Sequence, residues 1–143
     1  MTETGQRPLF LYGLFMDVPR LSAMGLSPLS HGQVFLRDYR LHICDRATLV
    51  PAKGERVFGV LVSLNEADTT SLYASPGVTD YQPEEVVVFS DDEDGGRRAV
   101  VYNLPPDLVT DASNKTYAAE LAALADSLGL PASYVEELAK FAR

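Results

Sequence analysis

The side chains with the reactivity for chemistry are few and scattered. His42 and Cys44 alternate onto one face of a strand-like segment, with Asp45 next in line. A cysteine beside a histidine can become a thiolate nucleophile. Two residues apart on a strand, however, they stand about 7 Å apart at ~3.3 Å per residue, beyond direct hydrogen-bond reach. A buried structural thiol is the commoner outcome for a lone cysteine. His31 sits in a Ser-His-Gly turn, and the two histidines have no regular carboxylate spacing around them, so no metal site is expected. The run Asp91-Asp92-Glu93-Asp94-Gly95-Gly96 lacks the alternating acids and the later bidentate glutamate of a calcium loop and reads as a solvated hairpin tip. Arg46 follows Asp45 at the start of an apolar stretch. Its fork could clamp a ligand carboxylate, or pair with Asp45 or another nearby acid, and both readings stand.

Elements must position these groups. Pro8-Leu9-Phe10-Leu11-Tyr12 is a short apolar run ending at Gly13, a buried strand leading into a tight loop. Residues 1–7 are expected to be a flexible lead-in. Asp17 can cap a short helix with Pro19 in its first turn, Leu21 and Met24 facing inward, and Gly25 ending it. Residues 33–43 alternate as a strand does, 48–51 read as a short strand, Lys53-Gly54-Glu55 as a turn, and 57–64, apolar on both faces, as a central strand. Asn65 with Asp68 marks a helix start, and the helix should stop before Pro76-Gly77. Two strands follow, 85–89 and 98–102, joined by the acidic turn. Tyr117, Leu121, Leu124, Ala125 and Leu128 form a helical stripe ended by Gly129 and Pro131. Ser133 with Glu136 should box the start of a last helix whose stripe is Tyr134, Leu138 and Phe141. Strands first and helices last point to the α+β class.

The bulk composition narrows the function. A chain of 143 residues suits one domain, 1–143, able to bury a core. Its net charge of -8 repels phosphate backbones and anionic lipid, so neither nucleic acid nor membrane is an expected partner. One cysteine excludes an internal disulfide, and no apolar run approaches the ~20 residues that span a bilayer, so the cytoplasm is the expected location.

Three segments together resemble the gamma-glutamylcyclotransferase-like (AIG2-like) family. They are Phe10-Leu11-Tyr12-Gly13-Leu14-Phe15-Met16-Asp17; Val57-Phe58-Gly59-Val60-Leu61-Val62-Ser63-Leu64 with the helix to Leu72; and Tyr117 through Gly129-Leu130-Pro131 to Tyr134 and Leu138. The resemblance implies a small mixed β-barrel with flanking helices. It also implies a pocket where 12–15 face 75–81, taking a γ-glutamyl or amino-acid-like molecule without a cofactor. The family's reaction is attack of a γ-glutamyl α-amine on its own γ-carbonyl, releasing 5-oxoproline. A carboxylate serves as base and acid, and backbone N–H groups hold the substrate. The resemblance places Tyr12, Gly13, Leu14, Phe15 and Tyr81 at the substrate. Leu14 replaces the hydroxyl residue expected after Gly13. Tyr73 stands where the family has aspartate, and Pro76 where it has the acid/base glutamate. Glu85, on one face with Val87 and Phe89, is the candidate substitute; the alternative is that it lies at a solvated strand edge. Without that carboxylate the same fold would serve as a ligand-binding or interaction module.

Overall fold

Strand β1 (Arg7–Leu11) is apolar on both faces, and Leu9, Phe10 and Leu11 are all almost fully buried. A strand without a polar face has to run through the middle of a sheet. In the computed structural model, which describes residues 7–75, 78–91 and 95–142, it does so. β1 pairs antiparallel with β3 (Ala47–Leu64), Leu9 opposite Val62, and parallel with β5 (Arg97–Asn103), Leu9 opposite Val100. With β2 (Leu29–Ile43) and β4 (Gln82–Phe89) the strands close into a barrel in the order β1-β3-β2-β4-β5. The expected α+β class and mixed barrel are what the chain forms. Arg7 belongs to β1 rather than to a flexible lead-in, and residues 1–6 lie outside the described residues.

β2 and β3 form one long hairpin, where the sequence suggested three pieces. Lys53-Gly54-Glu55 is no turn. The register jumps from Arg37 opposite Arg56 to Tyr39 opposite Pro51. At the jump Asp38 and Gly54 both take positive φ (66° and 84°), and the Gly54 N–H donates to Asp38 Oδ1 at 2.9 Å. Glycine and aspartate are the residues that adopt this conformation most cheaply, and the side-chain bond satisfies an amide that the bulge removes from the ladder.

The helices sit where capping chemistry starts them. In α1 (Val18–Ala23) Asp17 accepts from the Arg20 N–H, and Leu21 is buried. Met24, expected inward, is 43% exposed because the helix ends before reaching it. In α2 (Glu66–Tyr73) Asn65 Oδ1 accepts from the Asp68 N–H at 2.7 Å, and Asp68 in turn accepts from the Ser27 N–H at 2.9 Å, tying the loop after α1 to α2. In α3 (Lys115–Ser127) Asn114 caps the Tyr117 N–H. The last helix, α4 (Ala132–Lys140), starts on Pro131 without a side-chain cap, so the Ser133–Glu136 box is not formed. Ala118, Leu121, Ala125, Tyr134 and Leu138 bury the faces of the last two helices. None of the described helices is long and apolar enough to cross a membrane.

Gly59 fixes how closely β1 approaches β3. A Cβ there would lie 2.3 Å from the Leu11 carbonyl oxygen and 3.0 Å from the Phe10 ring. The carbonyl is backbone, so the clash cannot be relieved by a rotamer change. Gly59→Ala is expected to destabilise the fold by about 3 kcal/mol, the upper part of the usual overpacking range. Urea unfolding checks this; a loss within the ±0.5 kcal/mol of a neutral surface change would show that the strands can move apart.

Candidate functional site

β1 delivers the chain to a cavity of about 300 Å³. Its walls include Tyr12, Gly13, Leu14 and Phe15 from the loop after β1, Arg20 and Met24 from α1 and its C-terminal end, Arg46 from the turn between β2 and β3, and Ala47 at the start of β3. Tyr73, Ser75, Val78 and Tyr81 at and beyond the end of α2, Tyr102 from β5 and Tyr117 from α3 complete them. Of the residues assigned from sequence, the cavity gathers Tyr12, Gly13, Leu14, Phe15 and Tyr81, but not Glu85.

Glu85 faces the other way. On β4 it is Val86 and Val88 that are buried, while Glu85 and Val87 are exposed. Glu84 shares the face of Val86 and Val88 and lies opposite buried Val101, but at the start of the strand it is itself exposed. Its Oε1 accepts from Asn103 Nδ2 at 3.4 Å and its Oε2 from the Tyr39 hydroxyl at 3.3 Å. The Tyr39 hydroxyl is pushed up by burial and by that carboxylate. Pro76 lies outside the described residues.

The tyrosines divide by what their hydroxyls do. Tyr12 turns its hydroxyl into the barrel, donating to the Tyr102 carbonyl at 2.7 Å and toward Asn103 Oδ1 at 3.1 Å. Burial raises its pKa well above the usual value. It therefore offers the cavity its ring. Tyr81 likewise spends its proton on the Ala47 carbonyl, and burial raises it too. Tyr73 stacks on Tyr102 with centroids 3.7 Å apart, and Phe15 meets Tyr73 edge-on at 6.1 Å.

Tyr117 is different. A Cβ on Gly13 would lie 2.7 Å from its hydroxyl oxygen, so the absence of a side chain at Gly13 lets that hydroxyl enter. Burial pushes its pKa up to about 12, and the Leu14 backbone N–H, acting on the same oxygen, offsets part of the rise. Among the described residues nothing accepts its proton. Asn114 sets its position twice over, capping the Tyr117 N–H at 3.0 Å and donating from Nδ2 to the Asp45 carbonyl at 3.0 Å. The Leu14 amide thus faces a tyrosine rather than open space. The Gly13 and Phe15 N–H groups belong to lining residues and have no hydrogen-bond partner among the described residues.

Two cations line the walls. Arg46 Nη1 holds Asp80 Oδ2 at 2.9 Å, and its guanidinium lies 5.9 Å from the Tyr81 ring centroid. Of the two readings that the sequence left open, the pairing with a nearby acid is the one that forms, with Asp80 and, at 3.9 Å, Asp45. Arg20 has no carboxylate partner among the described residues. Sequence reasoning missed Arg20, Tyr73 and Tyr102. The signal for Arg20 was its place three residues after the cap Asp17, in the short helix that follows the loop; nothing in sequence marks Tyr102. His42 and Cys44 are drawn apart, His42 Nε2 to the Thr110 carbonyl at 2.8 Å and buried Cys44 Sγ to the Arg46 carbonyl at 3.1 Å. Among the described residues no cluster could hold a metal ion.

Two outcomes follow from this geometry. Gly13→Ala should cost about 1–3 kcal/mol by overpacking against the Tyr117 hydroxyl, and Tyr117→Phe in the same chain should restore most of it; a double-mutant cycle in urea reads the coupling, and simple additivity would refute the contact. The second concerns alkali. Tyrosines held neutral in the folded state ionise first in the unfolded chain, at about 10. The unfolded state then binds fewer protons, so stability falls as pH rises above about 10. Tyrosinate absorbance and unfolding followed together should show ionisation of the cavity tyrosines coinciding with unfolding; ionisation near pH 10 with the fold intact would contradict their burial.

The architecture is shared with solved structures. An uncharacterized protein from Homo sapiens is 22% identical, with a TM-score of 0.75 over 94% of this chain and 86% of that one. A gamma-glutamyl cyclotransferase is 22% identical, with a TM-score of 0.74 over 93% of this chain and 86% of that one. YkqA from Bacillus subtilis is 23% identical, with a TM-score of 0.73 over 97% of this chain and 55% of that one. At such identity the likeness is one of fold. Comparison with curated proteins gives no match. The AIG2-like family model matches residues 56–138, more than half of the sequence, and the chain therefore belongs to the AIG2-like family.

Proposed function

We propose that this protein binds γ-glutamyl or related amino-acid-like anions in the cavity after β1 and holds them without cyclising them. One observation carries the reading: among the described residues the walls present two arginines and no aspartate, glutamate or histidine. An arginine fork recognises a carboxylate by paired, charge-assisted hydrogen bonds. The Gly13 and Phe15 N–H groups and the Tyr117 hydroxyl add donors for a carbonyl or a second carboxylate oxygen. The aromatic wall of Phe15, Tyr73 and Tyr102 covers the methylenes of a glutamyl chain.

Cyclisation asks for something else. The α-ammonium must lose a proton before its nitrogen can attack, and the departing amine must gain one. Arginine stays protonated and accepts nothing. The cavity tyrosines are shifted upward, away from the phenolate that could act as a base at neutral pH. Pro76, at the position of the family's acid/base glutamate, has no proton to move. Glu84 is committed to Asn103 and Tyr39, and Glu85 is on the outer surface. The gamma-glutamyl cyclotransferase of the same fold supports the ligand class, and the lining supports retention.

The test combines calorimetry with detection of 5-oxoproline, using γ-glutamylalanine. Binding without product is expected, with stability rising about 2.7 kcal/mol at a hundredfold excess of ligand over Kd. Catalytic accumulation of 5-oxoproline would overturn the retention, and the absence of any binding would overturn the ligand class.

A further inference from the structure

The chain has three methionines, and they differ in what can reach them. Met1 lies outside the described residues, and Met16 is fully buried. Met24 caps the C-terminus of α1, is 43% exposed and lines the cavity. It stands one helical turn beyond Arg20, its backbone N–H donating to the Arg20 carbonyl at 3.1 Å. Residues four apart on a helix share a face, with Cβ atoms about 5–6 Å apart, and both of these residues line the cavity. Arg46, the other arginine among the lining residues, is held by Asp80 at 2.9 Å and by Asp45 at 3.9 Å. Arg20 is exposed and has no carboxylate partner among the described residues, and its charge reaches the Tyr117 hydroxyl of the same cavity.

A thioether is a weak acceptor and leaves a neighbouring guanidinium to find its partner elsewhere. Oxidation by a peroxide changes that. The sulfur gives an electron pair to one peroxide oxygen and the O–O bond breaks. The other oxygen takes up the proton of the transferred one and leaves as water. Sulfur is oxidised to the sulfoxide and the peroxide is reduced. The sulfoxide is polar, and its oxygen is a strong acceptor. Held one turn from Arg20, it can take a guanidinium N–H in a charge-assisted hydrogen bond, the stronger kind. Resting on the proposed role of Arg20 as the group that meets an anionic ligand, we propose that Met24 is an oxidation site whose sulfoxide pairs with Arg20 and lowers the affinity of the cavity for anions. Methionine sulfoxide reductase reverses the modification, so the cavity responds to peroxide without loss of the protein.

The test treats the full chain with hydrogen peroxide and locates the added oxygen by peptide mass spectrometry. Met24 should be oxidised under conditions that leave Met16 intact. Phenylglyoxal, which attacks accessible guanidinium groups and needs no ligand, then probes Arg20; its modification should slow in the oxidised chain. Calorimetry with γ-glutamylalanine should show binding about tenfold weaker after oxidation, the scale of one charge-assisted hydrogen bond. Methionine sulfoxide reductase should restore both readings in the natural chain. Met24→Leu, of similar volume but without the thioether, should show neither change on peroxide treatment, although it still carries Met1 and Cys44. Peroxide that leaves Met24 unmodified would overturn the site. A Met24 sulfoxide with Arg20 reactivity unchanged would overturn the pairing, as would the same losses in Met24→Leu. Affinity unchanged by oxidation would overturn the effect on anions. Failure of the untreated chain to bind γ-glutamylalanine would overturn the ligand class, and the phenylglyoxal comparison would still decide whether the sulfoxide occupies Arg20.

Discussion

The Leu11 carbonyl sits against the bare Cα of Gly59, and much of the site depends on that approach. With a side chain there, β1 could not lie this close to β3, and the barrel could not carry a strand buried on both faces. Because β1 is fixed on one side by an antiparallel neighbour and on the other by a parallel one, its exit at Leu11 is fixed as well. The loop that follows inherits that precision. Tyr12 anchors to the end of β5 through its hydroxyl, Gly13 leaves room for Tyr117, and one turn of 3-10 helix, Leu14–Met16, passes the chain to Asp17 and α1. A second glycine contact thus depends on the first: Gly59 sets the strand, and Gly13 admits the tyrosine that the strand's exit loop meets.

The cavity that results is built from saturated groups and unsaturated ones. Tyr12 and Tyr81 use their protons on backbone carbonyls and serve as rings. Arg46 is held by Asp80 at the edge of the loop beyond α2. What stays available is Arg20, the Tyr117 proton and the backbone donors of the loop. Those groups all donate or carry positive charge, which suits an anion and offers no base. Among the described residues that line the cavity there is no aspartate, glutamate or histidine to accept a proton.

Much of the architecture was legible in the sequence because local signals agreed with the tertiary fold. The unbroken apolar run at 57–64 required a central strand, and Asn65 with Asp68 required a helix start; both formed. The misreadings have physical causes. Lys53-Gly54-Glu55 carries turn residues because a bulge needs the same positive φ as a turn, and only the Asp38 carboxylate, distant in sequence, separates the two. For Glu85 both an inward place with Val87 and Phe89 and a solvated strand edge stood open, because alternation gives two faces but not which is the core; β4 buries Val86 and Val88, and Glu85 is at the solvated edge. Tyr117 reads as one more residue of a helical stripe, since its role depends on the empty space above Gly13. Arg20 and Tyr102 become part of a site only when the barrel closes and brings α1 and β5 to the same cavity.

The most direct test of the account is a crystal structure with γ-glutamylalanine soaked in at saturating concentration. The account requires an intact ligand in the cavity, its amide bond unbroken and a carboxylate on Arg20. A bound 5-oxoproline or a ligand seated elsewhere would contradict it.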